Sequence, residues 1–362
     1  MSRIVYLHIG APKTGTTYLQ DRLALNAHRL AEHDVLFPGR NPLTNPATFH
    51  FQAALDLLDQ DWGGPPGHAK GAWSSMVRKV RRASGTAIIS HEILAPASGD
   101  RIAKAMNDLR KAEEVHVVYS ARDLARQVPA AWQESVKQGR RWRFQRFLDR
   151  AERGDTFFMK AFDLPTVLNR WSRNLPPDRV HVVTVPPSGA PADELWRRFC
   201  RAFGIDPDWA PLDSELSNES LGIAETEVLR RLNRRIDRAT RREEAHDQLI
   251  RDLLRSGDLV QRRSRRVELP PDRYPWVEEQ THRWIDWIKG SGVDVVGDLD
   301  DLLPGPPPGE DWQDPDQVSR KVLAAAAIDA LAAMTQAAAS RPDPSKELAA
   351  RIRANAERLR KR

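Results

Sequence analysis

The chain has 362 residues, 40% of them apolar and 29% charged, which suits a folded globular protein and is too apolar for wholesale disorder. Lys and Arg number 56 against 50 Asp and Glu, net +6, a mild excess that fits an anionic ligand and equally a plain soluble enzyme. No window of about 18 apolar residues exists, which excludes a transmembrane helix, and the single cysteine, Cys200, excludes an intramolecular disulfide and a Cys-rich zinc site.

Ile4–Ile9 is a short, β-branched apolar run ended by Gly10, the pattern of a buried strand. From Thr16 the apolar residues Leu19, Leu23, Ala27 and Leu30 fall three or four apart, the pattern of a helix. Residues 38–71 are rich in Pro and Gly and read as an excursion over the domain face, with a short helix around Phe51–Leu58. Trp73–Ala83 is a basic helix, Thr86–Ser90 a second strand and Ile102–Lys111 an amphipathic helix. Glu114–Ser120 is a third strand, Ala125–Val136 a helix, Arg179–Pro186 a fourth strand and Ala192–Phe203 a helix. Strands alternating with helices predict an α/β fold with a parallel sheet covered on both faces.

After Asp206 no further strand is expected. Glu225–Leu254 reads as a long Arg-studded helix with Leu229, Leu232, Ile236, Leu249 and Leu253 on its apolar face. Ser220 before it has the character of an N-cap. Val277–Ile288 is a further helix, and Gly292–Leu303 closes the globular unit. This gives one α/β domain over 1–303 with a helical subregion at about 210–290. A Pro/Gly-rich linker follows at 304–319 and an Ala-rich, basic helical tail at 320–362. The N-terminus lacks the apolar region of a signal peptide, and with one cysteine the expected location is cytoplasmic.

The most informative residues are Gly10-Ala-Pro12-Lys13-Thr14-Gly15-Thr16-Thr17. Gly10 and Gly15 are spaced like the two glycines of a Walker A loop, but there a Lys follows the second Gly. Here Thr16 does, and the Lys stands two positions earlier. Such a loop still forms a nest of amides at a helix N-terminus, which binds a tetrahedral anion. A kinase also needs Mg²⁺ and a strand-end Asp, and none of the strands ends in a well-placed one. A donor with no γ-phosphate and one bridging oxygen to stabilise needs only a Lys nearby and no metal.

The run Pro12-Lys13-Thr14-Gly15-Thr16-Thr17 resembles the 5′-phosphosulfate-binding loop of the PAPS-dependent sulfotransferases of bacterial, soluble type. The resemblance implies a P-loop-like parallel β-sheet flanked by helices, with PAPS (3′-phosphoadenosine-5′-phosphosulfate) as co-substrate. It implies a second element that binds the 3′-phosphate: a strand, then Arg, then Ser at the start of a helix. Arg122 matches that Arg. Ala130 stands at the Ser position, and Arg126, one turn after Arg122, offers a compensating contact. The resemblance is good over residues 1–200 and thin to about 303.

Sulfuryl transfer needs a base for the acceptor hydroxyl and a cation for the leaving oxygen. Lys13 is the cation. The second strand ends at Ser90-His91-Glu92, and strand carboxyl ends are where open parallel sheets bind ligands. His91 is the favoured base, since an imidazole suits neutral operation, with Glu92 the alternative. His8 and His116 lie mid-strand and read as core histidines. The run Arg262–Arg266 is a candidate nucleotide-covering loop, and Trp132, Trp142 and the Lys137–Arg141 turn are candidate acceptor-cleft residues. The acceptor is a small-molecule, carbohydrate or lipid hydroxyl. No metal and no nucleic-acid partner is expected. The alternatives are a P-loop nucleotide kinase-like phosphotransferase and a non-catalytic phosphonucleotide-binding protein.

Overall fold

The structure is a computed structural model and describes residues 3–41, 44–214, 221–237 and 264–339. Six strands form one sheet: β1 (Arg3–His8), β2 (Val35–Leu36), β3 (Gly85–Ser90), β4 (Glu114–Ala121), β5 (Val180–Thr184) and β6 (Asp294–Val296). Their order is β2-β3-β1-β4-β5-β6 and every pairing is parallel. β1 is central, with Leu7 opposite Ile89 of β3 on one side and Val117 of β4 on the other.

Among the described residues thirteen α-helices surround the sheet. In chain order they are α1 (Thr16–Leu25), α2 (Ala27–Glu32), α3 (Pro46–Leu58), α4 (Ala72–Arg82), α5 (Gly99–Leu109), α6 (Leu124–Lys137) and α7 (Phe144–Glu152). Then come α8 (Phe157–Phe162), α9 (Leu164–Trp171), α10 (Glu194–Phe203), α11 (Ile223–Arg235), α12 (Tyr274–Ser291) and α13 (Arg320–Ala339). Side chains alternate across a strand, so the central strands feed two cores. Leu7, Ile89 and Val117 pack with Phe49, Trp73, Trp132 and Trp171 on one face. Tyr6, Ile88 and Val118 pack with Leu19, Leu23, Trp196, Phe199 and Phe203 on the other. Such two-sided burial makes each strand a continuous apolar run.

The four expected strands are present, and the structure adds two. β2 has two residues and β6 three, too short to show a period. β6 also corrects the expectation that strands stop at Asp206: it joins the sheet edge through Val295 opposite Val182. The excursion at 38–71 holds a helix longer than expected, because Asn45 caps α3 by accepting from the Ala47 amide at 2.8 Å. Three short helices, α7, α8 and α9, fill residues 144–171, for which no element is expected from the residue pattern.

The long helix expected over 225–254 ends early. α11 stops at Arg235, and Ile236 has turned to extended backbone. Leu249 and Leu253, Ser220, Arg262 and Arg263, and the basic stretch 345–362 lie outside the described residues. The stretch at 304–319 is attached to the body by several contacts, among them Arg265, whose guanidinium donates to Asp311 O. Trp312 Nε1 donates to Glu268 O at 3.2 Å. The Asp316 carboxylate accepts from the amides of Phe144 and Gln145 at 3.0 and 3.1 Å, capping α7. Val318 packs with Ile223, Ala224 and Ala326, which seats α13 on α11.

Candidate active site

The loop between β1 and α1 crosses the carboxyl ends of β1 and β4. It is anchored there by Ile9 N–H to Val118 O at 3.0 Å and Ala11 N–H to Ser120 O at 2.9 Å. Gly10, with φ 117°, lies under Glu92: a Cβ there would stand 3.2 Å from the Glu92 Cα. Gly15 caps α1 in the left-handed region at φ 88° with no side-chain cap. The first amides of α1 therefore remain without an intrahelical partner and point at the loop, the arrangement that attracts an anion.

Side chains hold the loop from beneath. The Thr14 hydroxyl donates to Ala11 O at 2.5 Å and is 2.5 Å from Ser120 Oγ. Ser120 Oγ is 3.2 Å from His8 Nε2, and His8 Nδ1 is 2.8 Å from Ser90 Oγ. Gln127 Nε2 donates to Pro12 O at 2.8 Å. Pro12, Thr14 and Thr16 are buried, and the Thr16 hydroxyl faces Ala11 O at 3.4 Å. The side chains of Thr14 and Thr16 thus shape the loop, and what the loop turns outward is its backbone, Lys13 and the exposed Thr17. Burial, with His91 nearby, pushes the His8 imidazole down to about 3, so it is neutral at any ordinary pH.

Lys13 sits at φ 67°, in the region non-glycine residues seldom occupy. Arg122 fixes it there: its guanidinium donates to Lys13 O at 3.1 Å. Arg122 Nε is buried without a partner. Burial, aided by the Arg126 cation, pulls the Arg122 guanidinium down to about 10. Arg126 is held by the Asp123 carboxylate, which also caps α6 by accepting from the Arg126 amide at 2.9 Å. Its NH1 reaches Pro186 O at 3.4 Å.

α6 presents one narrow face outward. From Leu124 to Lys137 the residues that are not buried are Arg126, Ala130, Glu134 and Lys137, spaced as a single helical stripe. Glu134 receives the Lys13 ammonium at 2.6 Å. Burial opposes ionisation of Glu134, but Lys13 outweighs it and holds the carboxyl below its usual range. Burial and the neighbouring Lys13 lower the Lys137 ammonium. Around the loop stand Lys13, Arg122, Arg126 and Lys137 against Asp123, Glu134 and Glu92, an excess of one positive charge before the helix amides are counted.

The third flank is the end of β3. His91 N–H donates to His8 O at 3.0 Å, extending the strand. Its ring is buried against Phe51 at 5.2 Å between centroids. Burial lowers its pKa, with Glu92 opposing. The Ile93 amide donates to His91 Nδ1 at 3.3 Å. In the neutral ring the proton therefore resides on Nε2, which makes that nitrogen a donor. Glu92 is partly exposed, 3.7 Å from His91 Nδ1.

Lys13 and Arg122 are thus joined by direct contact just before the start of α1, Glu92 reaches the loop through Gly10, and Arg126 lies one turn along α6. Sequence reasoning missed Glu134. Its signal was its place four residues after Ala130 and eight after Arg126 on the same helical face. Trp132 is fully buried and belongs to the core, donating to Trp142 O at 3.1 Å. His116, expected in the core, is buried in β4 with Nδ1 2.9 Å from His181 Nε2. Among the described residues no set of three His, Cys, Asp or Glu side chains converges as metal ligands, and no helix is long and apolar enough to cross a membrane.

No protein-family model matches the chain, and no curated protein sequence does. Among solved structures the chain is similar to the crystal structure of a sulfotransferase from Alicyclobacillus acidocaldarius, at 14% identity over 67% of this chain and 100% of that one, with a TM-score of 0.38. A likeness that distant assigns no activity.

Proposed function

We propose that the chain is a PAPS-dependent sulfotransferase acting on a hydroxyl of a small-molecule, carbohydrate or lipid acceptor, in the cytoplasm. The observation that supports this most is the cation set at the uncapped start of α1. Arg122 Nε is buried and unpartnered beside a Lys whose backbone Arg122 itself clamps, and an incoming phosphate oxygen would satisfy it. The residues present fit a nucleotide with anionic groups at both ends. Lys13, the Gly15–Thr17 amides and Thr17 would hold the 5′-phosphosulfate, Arg122 and Arg126 the 3′-phosphate.

Bound PAPS supplies the sulfuryl group and, as leaving group, the 3′,5′-diphosphate. Lys13 and the helix amides would stabilise electrostatically the charge that the leaving oxygen gains. Ala130 carries no hydroxyl, so Arg126 takes over that share of the 3′-phosphate. Of the two base candidates, Glu92 suits the role better. Its carboxylate only accepts protons, whereas the His91 Nδ1 lone pair is engaged by Ile93 N–H.

The test is ligand-induced thermal stabilisation followed by kinetics. Stabilisation by 3′,5′-diphosphoadenosine without Mg²⁺, and sulfuryl transfer that survives EDTA, are expected. Lys13→Ala should cut transfer by roughly a hundredfold or more. Glu92→Gln should lose most of kcat with nucleotide affinity retained, and His91→Ala should be milder. Stabilisation by ATP only, with strict dependence on Mg²⁺, would overturn the proposal in favour of a kinase. Nucleotide binding with no transfer to any hydroxyl acceptor would leave a phosphonucleotide-binding protein.

A further inference from the structure

Beyond the C-terminal end of α6 a cavity of about 430 Å³ is lined by Arg141, Trp142, Arg143, Arg146, Arg230 and Arg234. Local structure brings them together. Arg141, Trp142 and Arg143 occupy the turn between α6 and α7, and Arg146 lies in the first turn of α7. Arg230 and Arg234 are four apart on α11, on one face. Asn233 Nδ2 ties α11 to the turn by donating to Val136 O at 2.7 Å and Arg140 O at 3.1 Å. The wall is rigid: Arg230 is buried, its fork on Glu227 at 2.6 and 2.8 Å and its NH1 on Arg141 O at 3.2 Å.

Carboxylates near the cavity are already occupied. Glu227 serves Arg230 and Arg231, and Asp316 caps α7 through the Phe144 and Gln145 amides. Arg141, Arg143, Arg146 and Arg234 are exposed, and among the described residues no carboxylate pairs with any of them. Four free guanidinium forks around one concavity repel each other, and each offers two parallel donors suited to a phosphate or sulfate. Trp142 has Arg150 at 4.7 Å and Arg140 at 5.6 Å from its ring centroid, so it braces guanidiniums rather than presenting a face for a nucleic-acid base.

We propose that this cavity binds a multivalent oxyanion, a small ligand with two or more phosphate or sulfate groups. No residue of the loop between β1 and α1, and none of Arg122, Arg126 and Glu134, lines this cavity. The ligand chemistry is shared by inorganic polyphosphate and by a heavily sulfated saccharide.

Isothermal titration of the full chain with tripolyphosphate and, separately, sucrose octasulfate tests this. Both should bind with affinity that falls as salt rises. Arg146→Glu/Arg234→Glu should weaken both by roughly a hundredfold, since two charge-assisted contacts are reversed. Arg78→Glu, a charge reversal at an exposed position of α4 that does not line this cavity, should change them by less than about threefold. If the charge reversal misfolds, judged by its melting profile, the neutral Arg146→Gln/Arg234→Gln pair should still cost about tenfold. Tighter binding of the saccharide points to a sulfated sugar as source, and tighter binding of tripolyphosphate to polyphosphate. Failure of both probes to bind, unchanged affinity in the arginine variants, or an equal loss in Arg78→Glu overturns the proposal. Each of these readouts is independent of sulfuryl transfer.

Discussion

Lowering the pH from 7.5 to 5.0 should destabilise the protein by an amount set by two histidines beneath the loop. His8 and His50 are completely buried, and burial, with His91 close by, pushes each imidazole down to about 3. His50 shows why it stays neutral. Its Nδ1 accepts from Ser90 N–H at 3.0 Å while Nε2 faces Pro38 O at 3.0 Å, so each ring nitrogen already has the partner the neutral form needs. The folded-state value lies below the unfolded value of about 6.5. The stability is therefore complete above pH 6.5 and is lost as pH falls toward 3, because the unfolded chain gains protons that the folded chain refuses. At pH 5.0 each histidine has lost about 2 kcal/mol, so the pair loses about 4 kcal/mol. His91 and His116, also lowered chiefly by burial, act in the same direction. Carboxylates held low by their cations, such as Glu134, lose their contribution only as pH falls below the unfolded carboxyl value of about 4.3, so the window isolates the imidazoles. Urea unfolding read by fluorescence of the buried Trp73, Trp132, Trp171, Trp196 and Trp284 measures the loss, and His50→Asn should reduce it by about 2 kcal/mol. Equal stability at the two pH values, or an unchanged pH slope in His50→Asn, would refute the reasoning.

Three further outcomes are expected. Gly15→Ala should destabilise the protein by about 1–2 kcal/mol or more, since the new Cβ would sit at φ 88° and 2.6 Å from Leu195 Cδ2; thermal melting measures this. Arg122→Ala should weaken 5′-AMP as well as 3′,5′-diphosphoadenosine, because the clamp on Lys13 O is lost along with the contact to a 3′-phosphate. Titration calorimetry should still show the diphosphate losing about tenfold more, and equal losses would remove Arg122 from that phosphate. Asp316→Ala should cost about 1 kcal/mol through the lost α7 cap, seen as a lower urea midpoint, with little change in nucleotide affinity.

Much of this protein is legible in one dimension. β1, β3, β4 and β5 are short continuous apolar runs, because a central parallel strand is buried on both faces. Gly10 and Gly15 mark the loop, since the chain there takes positive φ and approaches Glu92 and Leu195 closely. The parallel alternation also put the ends of β1, β3 and β4 on one side of the sheet, and with them Lys13, His91 and Arg122. Other features needed the folded chain. β2 and β6 exist because a neighbouring edge offers them a partner, and two or three residues carry no period of their own. Glu134 lies 121 residues from Lys13, so only the packing of α6 over the loop pairs them. Nδ1 of His91 accepts from the Ile93 amide because the backbone turns into a short 3₁₀ helix there, which shifts the base from His91 to Glu92 in our reading. The arginine cavity joins residues 141–146 to α11 across about ninety positions, and periodicity reports which face of a helix is apolar, not which other helix its charged face will meet.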